Sequence, residues 1–358
     1  MELQPPRTTR RDRRSARLAA GLAAVFLAGL LGGCGVRLET SPPAEPKPDA
    51  TEQVRRTAVA DALGVAELAE SARATAGLPD PVSTELSRVA TDAHAQADAL
   101  GGLYHSGLAA DPGIEPSPTA TTTPPPATPA DVVGALVDAA GRSRTAATTT
   151  TGGDLARLVA SIGASQTVSA VRLADLAGVP GPDPVSPVVP EPVTATASPS
   201  PSPGEPGGVA TTPPGAQDAV PPEGLSASDY RALVLAEDGA RFALEVRAAR
   251  TSGEARARLL ALSREHGERA QAWAVLGGVA GTDQDPRRVA YAVPRDDDDA
   301  ALVRALAHGL ATDYASLVGT TAASTRGALV DLLVESAVTL NTWGAAPTPF
   351  PGMPELAG

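Results

Sequence analysis

The chain has 358 residues, a formal net charge of −12 and an isoelectric point near 4.9, and only 3% of its residues are aromatic. An acidic chain lacks the basic surface that nucleic acid requires, so we expect no nucleic-acid partner. The apolar residues are mostly Ala, Val and Leu, which favours closely packed helices over a large aromatic ligand pocket.

The N-terminal part of the chain combines a basic segment, an apolar run and a single cysteine. Six arginines lie between Arg7 and Arg17, and residues 18–31 form an uncharged run of 14 residues. Such a run is typical of a secretory signal and is too short to span a bilayer as a straight helix. The sequence Leu31-Gly32-Gly33-Cys34 that follows resembles the cleavage site of bacterial lipoprotein signals.

That resemblance implies that residues 1–33 form a signal peptide, that the Cys34 thiol receives a diacylglycerol with fatty acids such as palmitate, and that cleavage leaves Cys34 as the new N-terminus. The expected location is the extracytoplasmic face of the cell membrane, which the lipid anchor contacts. Residues 1–33 carry six Arg and two acidic residues, so the mature chain would have a formal charge of −16.

Two alternatives to this interpretation of the N-terminus remain open. Cys34 could be a buried free thiol, either behind an ordinary signal peptide or inside a membrane anchor. The arginine pairs also permit the twin-arginine export route. General secretion is favoured, because Asp12 follows the pair Arg10-Arg11 where an apolar residue is usual.

Proline-rich tracts occur at three places in the rest of the chain. Residues 34–50 are predicted to be a tether, residues 109–130 an insert, and residues 179–222 a disordered linker. Tracts of this composition cannot bury enough apolar surface to offset the entropy of ordering, and they favour extended conformations. We interpret them as spacers; recognition of their PxxP-like parts by a partner is the alternative.

Two helical regions remain, residues 51–178 and residues 223–345, followed by a C-terminal tail at 346–358. The second region shows four stretches with helical spacing of apolar residues and a long connection over residues 277–295. This pattern predicts a four-helix bundle with a crossover connection.

The first helical region is similar to the second. Residues 60–77 align without gaps to residues 236–253, which places Asp61 on Glu237, and a Gly pair ends the second helix in both regions. We therefore predict that the first region is a degenerate copy of the second. The predicted fold class is all-α, with two four-helix bundles joined by proline-rich linkers.

The second region also resembles a known family. It has an inward glutamate in its first helix, a histidine ahead of an arginine in its second, and an aromatic motif after its fourth. The residues are Glu237, His266, Arg269, Tyr291 to Pro294, Trp343 and Phe350-Pro351-Gly352. They resemble the ferritin-like domain of unknown function in lipoproteins of high-GC Gram-positive bacteria. The resemblance implies a ferritin-like up-down bundle and brings no established reaction with it.

A ferritin-like dinuclear metal site needs a Glu from each of two helices and a Glu-x-x-His motif from each of the other two. Here Ser263 stands where the Glu before His266 is required, and Val338 stands where the His after Glu335 is required. The candidate metal ligands are Glu237, His266, Asp313 and Glu335. Asp313 is predicted to lie on the inward row of the third helix, which reads Val303, Leu306, Leu310, Asp313 and Leu317.

Because that ligand set is incomplete, we favour a polar cluster in which Glu237 pairs with His266 and Arg269 inside the bundle. No resident cofactor is expected, and iron or manganese is the alternative. The sequence contains no P-loop, HExxH, CxxC or G-x-S-x-G motif.

The sequence therefore predicts a membrane-anchored extracytoplasmic lipoprotein that acts without catalysis, through binding to a protein partner of the cell envelope. A ferritin-like metal-binding protein or oxidase with a degenerate site is the alternative. Binding of a small ligand between helices is a third hypothesis.

Overall fold

The computed structural model describes residues 46–106, 126–191, 193–194, 219–220, 224–293 and 298–356. Within these ranges the chain is all-α apart from one pair of two-residue strands, which confirms the predicted fold class. The predicted signal peptide, Cys34 and most of the proline-rich insert and linker lie outside the described residues.

Eight α-helices are described, four in each predicted region. The helices of the first bundle are α1 (Ala50–Arg73), α2 (Asp80–Ala99), α3 (Pro129–Thr149) and α4 (Gly153–Ala177). Those of the second bundle are α5 (Ala227–Ala248), α6 (Gly253–Leu276), α7 (Asp299–Thr320) and α8 (Arg326–Thr342). Short 3₁₀ helices lie at Ala323–Thr325 and Pro354–Leu356. None of the helices in the described part of the chain is long and apolar enough to cross a membrane.

The helix starts follow from local sequence signals. The side chain of Asp49 caps α1 by accepting a hydrogen bond from a backbone N–H of the first turn. Helices α3 and α5 each begin with a capping box, formed by Thr128 with Asp131 and by Ser226 with Asp229. In a capping box, two otherwise unpaired N–H groups find partners, so these residues fix where the helix begins.

Consecutive helices pack in pairs, α1 with α2, α3 with α4, α5 with α6 and α7 with α8. Helix α4 also packs against α2, α7 and α8, and every residue from 161 to 170 is buried. One hydrophobic cluster therefore contains Ile162 of α4 together with Tyr314 of α7 and Leu333 of α8. The two bundles share a core within one compact unit of the chain.

Helices α4 and α7 approach each other closely at two glycines. A Cβ atom on Gly153 would lie 2.0 Å from the carbonyl oxygen of Gly319. No real Cβ tolerates such a distance to backbone, so any larger residue at position 153 would push the two helices apart.

The described part of the predicted C-terminal tail belongs to the core. Phe350 is buried. The Ser161 hydroxyl donates a hydrogen bond to the carbonyl oxygen of Pro351 at 2.7 Å, and the Gln96 amide donates to that of Pro349 at 3.3 Å. The end of the second bundle is thereby fixed to α2 and α4 of the first.

The described ends of the predicted linker are also held in place. Residues 179–191 run without regular secondary structure, and Val185 and Val189 pack against the shared core. Strand β1 (Val193–Thr194) then pairs antiparallel with β2 (Ala219–Val220). The linker residues between these strands lie outside the described part of the chain.

A buried arginine joins α8 to the C-terminal end of α3. Arg326 donates from Nε to the carbonyl oxygen of Thr321 at 2.9 Å, and from Nη1 to those of Ala147 at 3.2 Å and Thr150 at 2.6 Å. Carbonyl groups at a helix C-terminus lack intrahelical donors and favour a cation. Burial lowers the pKa of Arg326, and the three carbonyl oxygens supply its hydrogen-bond acceptors.

Replacing Arg326 with methionine should lower the free energy of unfolding by about 2–3 kcal/mol, because buried carbonyl oxygens would lose their donor. Urea denaturation followed by circular dichroism measures this change. Arg250→Met, at an exposed position just after α5, is the control and should change stability by less than about 0.5 kcal/mol. Equal effects of the two substitutions would contradict the role given to Arg326.

Candidate functional site

The core of the second bundle contains a fully buried carboxylate. Glu237 lies on the inward row of α5, between Leu233 and Ala240, and has no exposed surface. A buried carboxylate is costly unless it accepts hydrogen bonds from suitable donors. Here Oε2 of Glu237 lies 2.6 Å from Nδ1 of His266 on α6, and the hydroxyl of Tyr314 on α7 donates to Oε1.

A second ion pair lies beside the first. Nη2 of Arg269, one helical turn after His266, donates to Oε1 of Glu335 on α8 at 2.5 Å. Burial disfavours the charge of Arg269, but the carboxylates of Glu335 and Glu237 outweigh this effect and raise the pKa of Arg269. The two pairs form one polar cluster that contains side chains from all four helices of the second bundle. Its members are Glu237, His266, Arg269, Tyr314 and Glu335.

The sequence predicted part of this cluster correctly. Glu237 pairs with His266, as expected. Glu335 is nearby but pairs with Arg269, and Arg269 therefore acts on Glu237 through its charge without a direct ion pair. The placement of Asp313 on the inward row of α7 was wrong, because Asp313 is exposed.

Tyr314 takes the inward position that had been predicted for Asp313. Leu310, Tyr314 and Val318 are all buried and follow one another at intervals of four residues. From Leu310 onward, the inward positions of α7 are therefore Tyr314 and Val318, each one residue after the predicted positions Asp313 and Leu317. The spacing from Leu310 to Val318 was the signal in the sequence that could have identified Tyr314.

A cavity of about 20 Å³ adjoins the polar cluster. It is lined by His266, Arg269, Glu335 and Ser336 together with apolar side chains such as Leu244. A volume of this size holds about one water molecule. The cluster therefore has room for a bridging water and none for an organic substrate.

These residues do not fit a dinuclear metal centre. Both oxygens of Glu237 accept hydrogen bonds, Glu335 is paired with Arg269, and Asp313 is exposed. The guanidinium of Arg269 would also repel a cation placed between the carboxylates. No group of three or more His, Cys, Asp or Glu side chains suited to a metal ion occurs among the residues that the structure describes.

Asp238, the neighbour of Glu237, fixes the crossover connection. The Tyr291 hydroxyl donates to Oδ2 of Asp238 at 2.6 Å, and Nε of Arg241 donates to Oδ1 at 2.8 Å. The ring of Tyr291 also packs against Phe242, with ring centroids 5.6 Å apart. Tyr291, which helped to carry the family resemblance, therefore has a packing role on the surface of α5.

A comparison with known protein families finds a match for the second bundle. Residues 230–355 match a domain of unknown function (DUF4439), which is of the ferritin-like type. The matched residues contain the whole polar cluster and the buried C-terminal segment. The match confirms the ferritin-like resemblance for this region. No curated protein and no solved structure matches the chain.

The free energy of unfolding at alkaline pH should depend on Tyr314. Burial and the neighbouring carboxylate of Glu237 raise the pKa of Tyr314 well above its ordinary value. In the unfolded chain the phenol ionises near pH 10. The unfolded state therefore loses its proton first, and the free energy of unfolding falls as the pH rises above about 10.

Tyr314→Phe should make this decline shallower, by up to about 1.4 kcal/mol per pH unit. Guanidinium denaturation between about pH 9 and 11.5 gives the slope of the free energy of unfolding against pH. Ionisation of lysine contributes little to this slope, because Lys47 is the only lysine in the chain. Tyr104→Phe is the control, since that ring is 42% exposed. An unchanged slope in Tyr314→Phe would contradict a buried neutral phenol at this site.

Proposed function

We propose that this chain is a lipid-anchored protein of the extracytoplasmic face of the cell membrane, and that it acts by binding other envelope components without catalysis. The claim that the protein acts without catalysis rests on one observation. The ionisable groups in the core of the second bundle are bound to each other, so they are not free to act on a substrate.

Catalysis by acid–base or metal chemistry needs a group that reaches the reacting atoms. Glu237 has both carboxylate oxygens engaged, and Arg269 is engaged with Glu335. The adjoining cavity of about 20 Å³ is far smaller than the roughly 300–1,000 Å³ of sites that bind organic ligands. The paired side chains and the small cavity both agree with a role of the polar cluster in stabilising the fold.

The shared core supports a role in binding. Because α4 packs against helices of both bundles, the two bundles are joined by a continuous hydrophobic cluster. Because the bundles share a core, they do not move about a hinge, and the surface available to a binding partner keeps one shape.

The sequence around Cys34 supports the anchoring half of the proposal. A diacylglycerol supplies two apolar chains, and stable membrane attachment needs more than one. The expected mature charge of −16 gives no attraction to anionic headgroups, so the lipid chains would hold the protein at the membrane.

Expression of the full chain in a host that processes lipoproteins tests the anchor. The mature protein should begin at Cys34, carry the mass of a diacylglycerol, and fractionate with membranes. Cys34→Ala should retain residues 1–33 and lack the lipid mass, whereas Ser41→Ala in the tether should be processed normally. A mature chain that begins elsewhere or carries no lipid would contradict this half of the proposal.

Elemental mass spectrometry tests the proposal against a metalloprotein. The chain, purified without a metal-affinity tag and incubated with iron and manganese before desalting, should hold well under one equivalent of either metal. Glu237→Gln should give the same value, because Glu237 already has two hydrogen-bond partners. Near-stoichiometric metal that Glu237→Gln abolishes would replace a binding role with a ferritin-like metal function.

A further inference from the structure

The connection that follows α2 exposes two large apolar side chains next to each other. Leu103 is 60% exposed and Tyr104 is 42% exposed. Single exposed apolar side chains are common on protein surfaces, whereas adjacent large ones point to a surface that contacts something apolar. The pair lies on the first bundle and is separate from the polar cluster at Glu237.

The backbone that carries the exposed pair is held in place by α1. Gly101 and Gly102 have φ angles of 88° and 69°, a left-handed conformation that favours glycine. Nη1 of Arg55 on α1 donates to the carbonyl oxygens of Leu100 and Gly102, both at 2.9 Å. The connection is thereby fixed against α1, and the apolar pair is exposed on an ordered part of the fold.

An arginine lies against the ring of Tyr104. The guanidinium carbon of Arg56 is 3.7 Å from the ring centroid, which is the geometry of a cation–π contact. Glu52 accepts hydrogen bonds from Nε of Arg55 at 2.6 Å and from Nε of Arg56 at 2.7 Å. Because two guanidinium groups share one carboxylate, these three side chains together carry one net positive charge.

An aliphatic side chain, a tyrosine and an arginine at one place are typical of a surface that contacts the boundary between membrane and water. Tyrosine is enriched there because its ring is apolar while its hydroxyl stays in water. Arginine can bury its apolar stem and direct its guanidinium toward lipid phosphates. The group at Leu103, Tyr104 and Arg56 has each of these parts.

The position of this group on α1 favours a bilayer as the contact. Arg55 and Arg56 lie within the first two turns of α1, which begins at Ala50. Cys34 precedes Ala50 by only 16 residues, and a chain of that length reaches at most about 55 Å. The exposed pair therefore lies at the end of the first bundle that is nearest along the chain to the proposed anchor.

We propose that Leu103 and Tyr104 enter the headgroup region of the bilayer and so turn the start of α1 toward the membrane. This inference rests on the lipid anchor proposed above. Two side chains are too few to hold a protein on a membrane. An anchored protein, however, presents them to the bilayer at an effective concentration in the millimolar range, at which a weak contact is populated.

The test uses the mature lipidated chain in phosphatidylglycerol vesicles that contain a nitroxide-labelled lipid. Intact mass first establishes that Cys34 is lipidated, so that His105→Cys supplies the free thiol for an NBD fluorophore. Fluorescence at this exposed position should be quenched about threefold more than fluorescence from Val289→Cys. Val289 is a suitable reference because it is fully exposed and belongs to the second bundle.

Replacing Leu103 and Tyr104 with serine tests their part in the contact. In the chain labelled at position 105, this double substitution should reduce the quenching to the value measured at position 289. Both side chains are exposed, so the variant should remain folded. Leu176→Ser is the matched control, because Leu176 is also 42% exposed and lies near the end of α4. This control should leave the quenching unchanged.

The outcomes separate the two proposals. Cys34 without lipid would overturn both the anchor and the docking surface. Lipidated Cys34 with equal quenching at positions 105 and 289, or with quenching that the serine substitutions do not alter, would overturn the docking surface alone. Quenching at position 105 should not depend on the number of protein molecules per vesicle. If it appears only at high protein density, the pair contacts a second copy of the chain and the assignment to the bilayer is wrong.

Discussion

The packing of this protein depends on the burial of the middle of α4, residues 161–170, between the two bundles. A helix buried on all sides must satisfy its own polar side chains, and the middle of α4 carries several. Ser161 donates to the C-terminal segment, Gln96 donates to Ser165, and Ser143 donates to Gln166. The small residues of α4 permit neighbouring helices to pack closely against it. The hydrogen bonds of its polar side chains fix how α4 is rotated about its axis and where it lies among those helices. The two bundles pack against each other through this helix.

The same constraint explains the buried charges near the contact. Arg326 satisfies carbonyl oxygens at the end of α3, and Arg172 of α4 pairs with Glu85 of α2 and donates to Asn341 of α8 at 2.9 Å. A charge removed from water is tolerated only where its partners are fixed. These groups therefore favour one relative placement of the helices.

The second bundle, whose residues match a ferritin-like domain, brings polar side chains from its four helices together at one point. These side chains are two carboxylates and a histidine, together with an arginine and a tyrosine. The positive charge of Arg269 supplies the stabilisation that a cation gives carboxylates in a metal centre. The interior of the second bundle is thus held by fixed side-chain charges.

The sequence by itself determined the elements and part of the site. Capping residues, glycines and apolar spacing located the helices, because these signals act within one or two turns. They also put Glu237 and His266 together, since both lie on strongly periodic rows of adjacent helices. The inward row of α7 was predicted wrongly, because the row through Asp313 was chosen over the row of Leu310, Tyr314 and Val318, which the sequence also contains. The partner of Glu335 and the burial of the middle of α4 were decided by tertiary structure alone. Each depends on residues more than 60 positions apart, and local spacing carries no information about contacts at that separation.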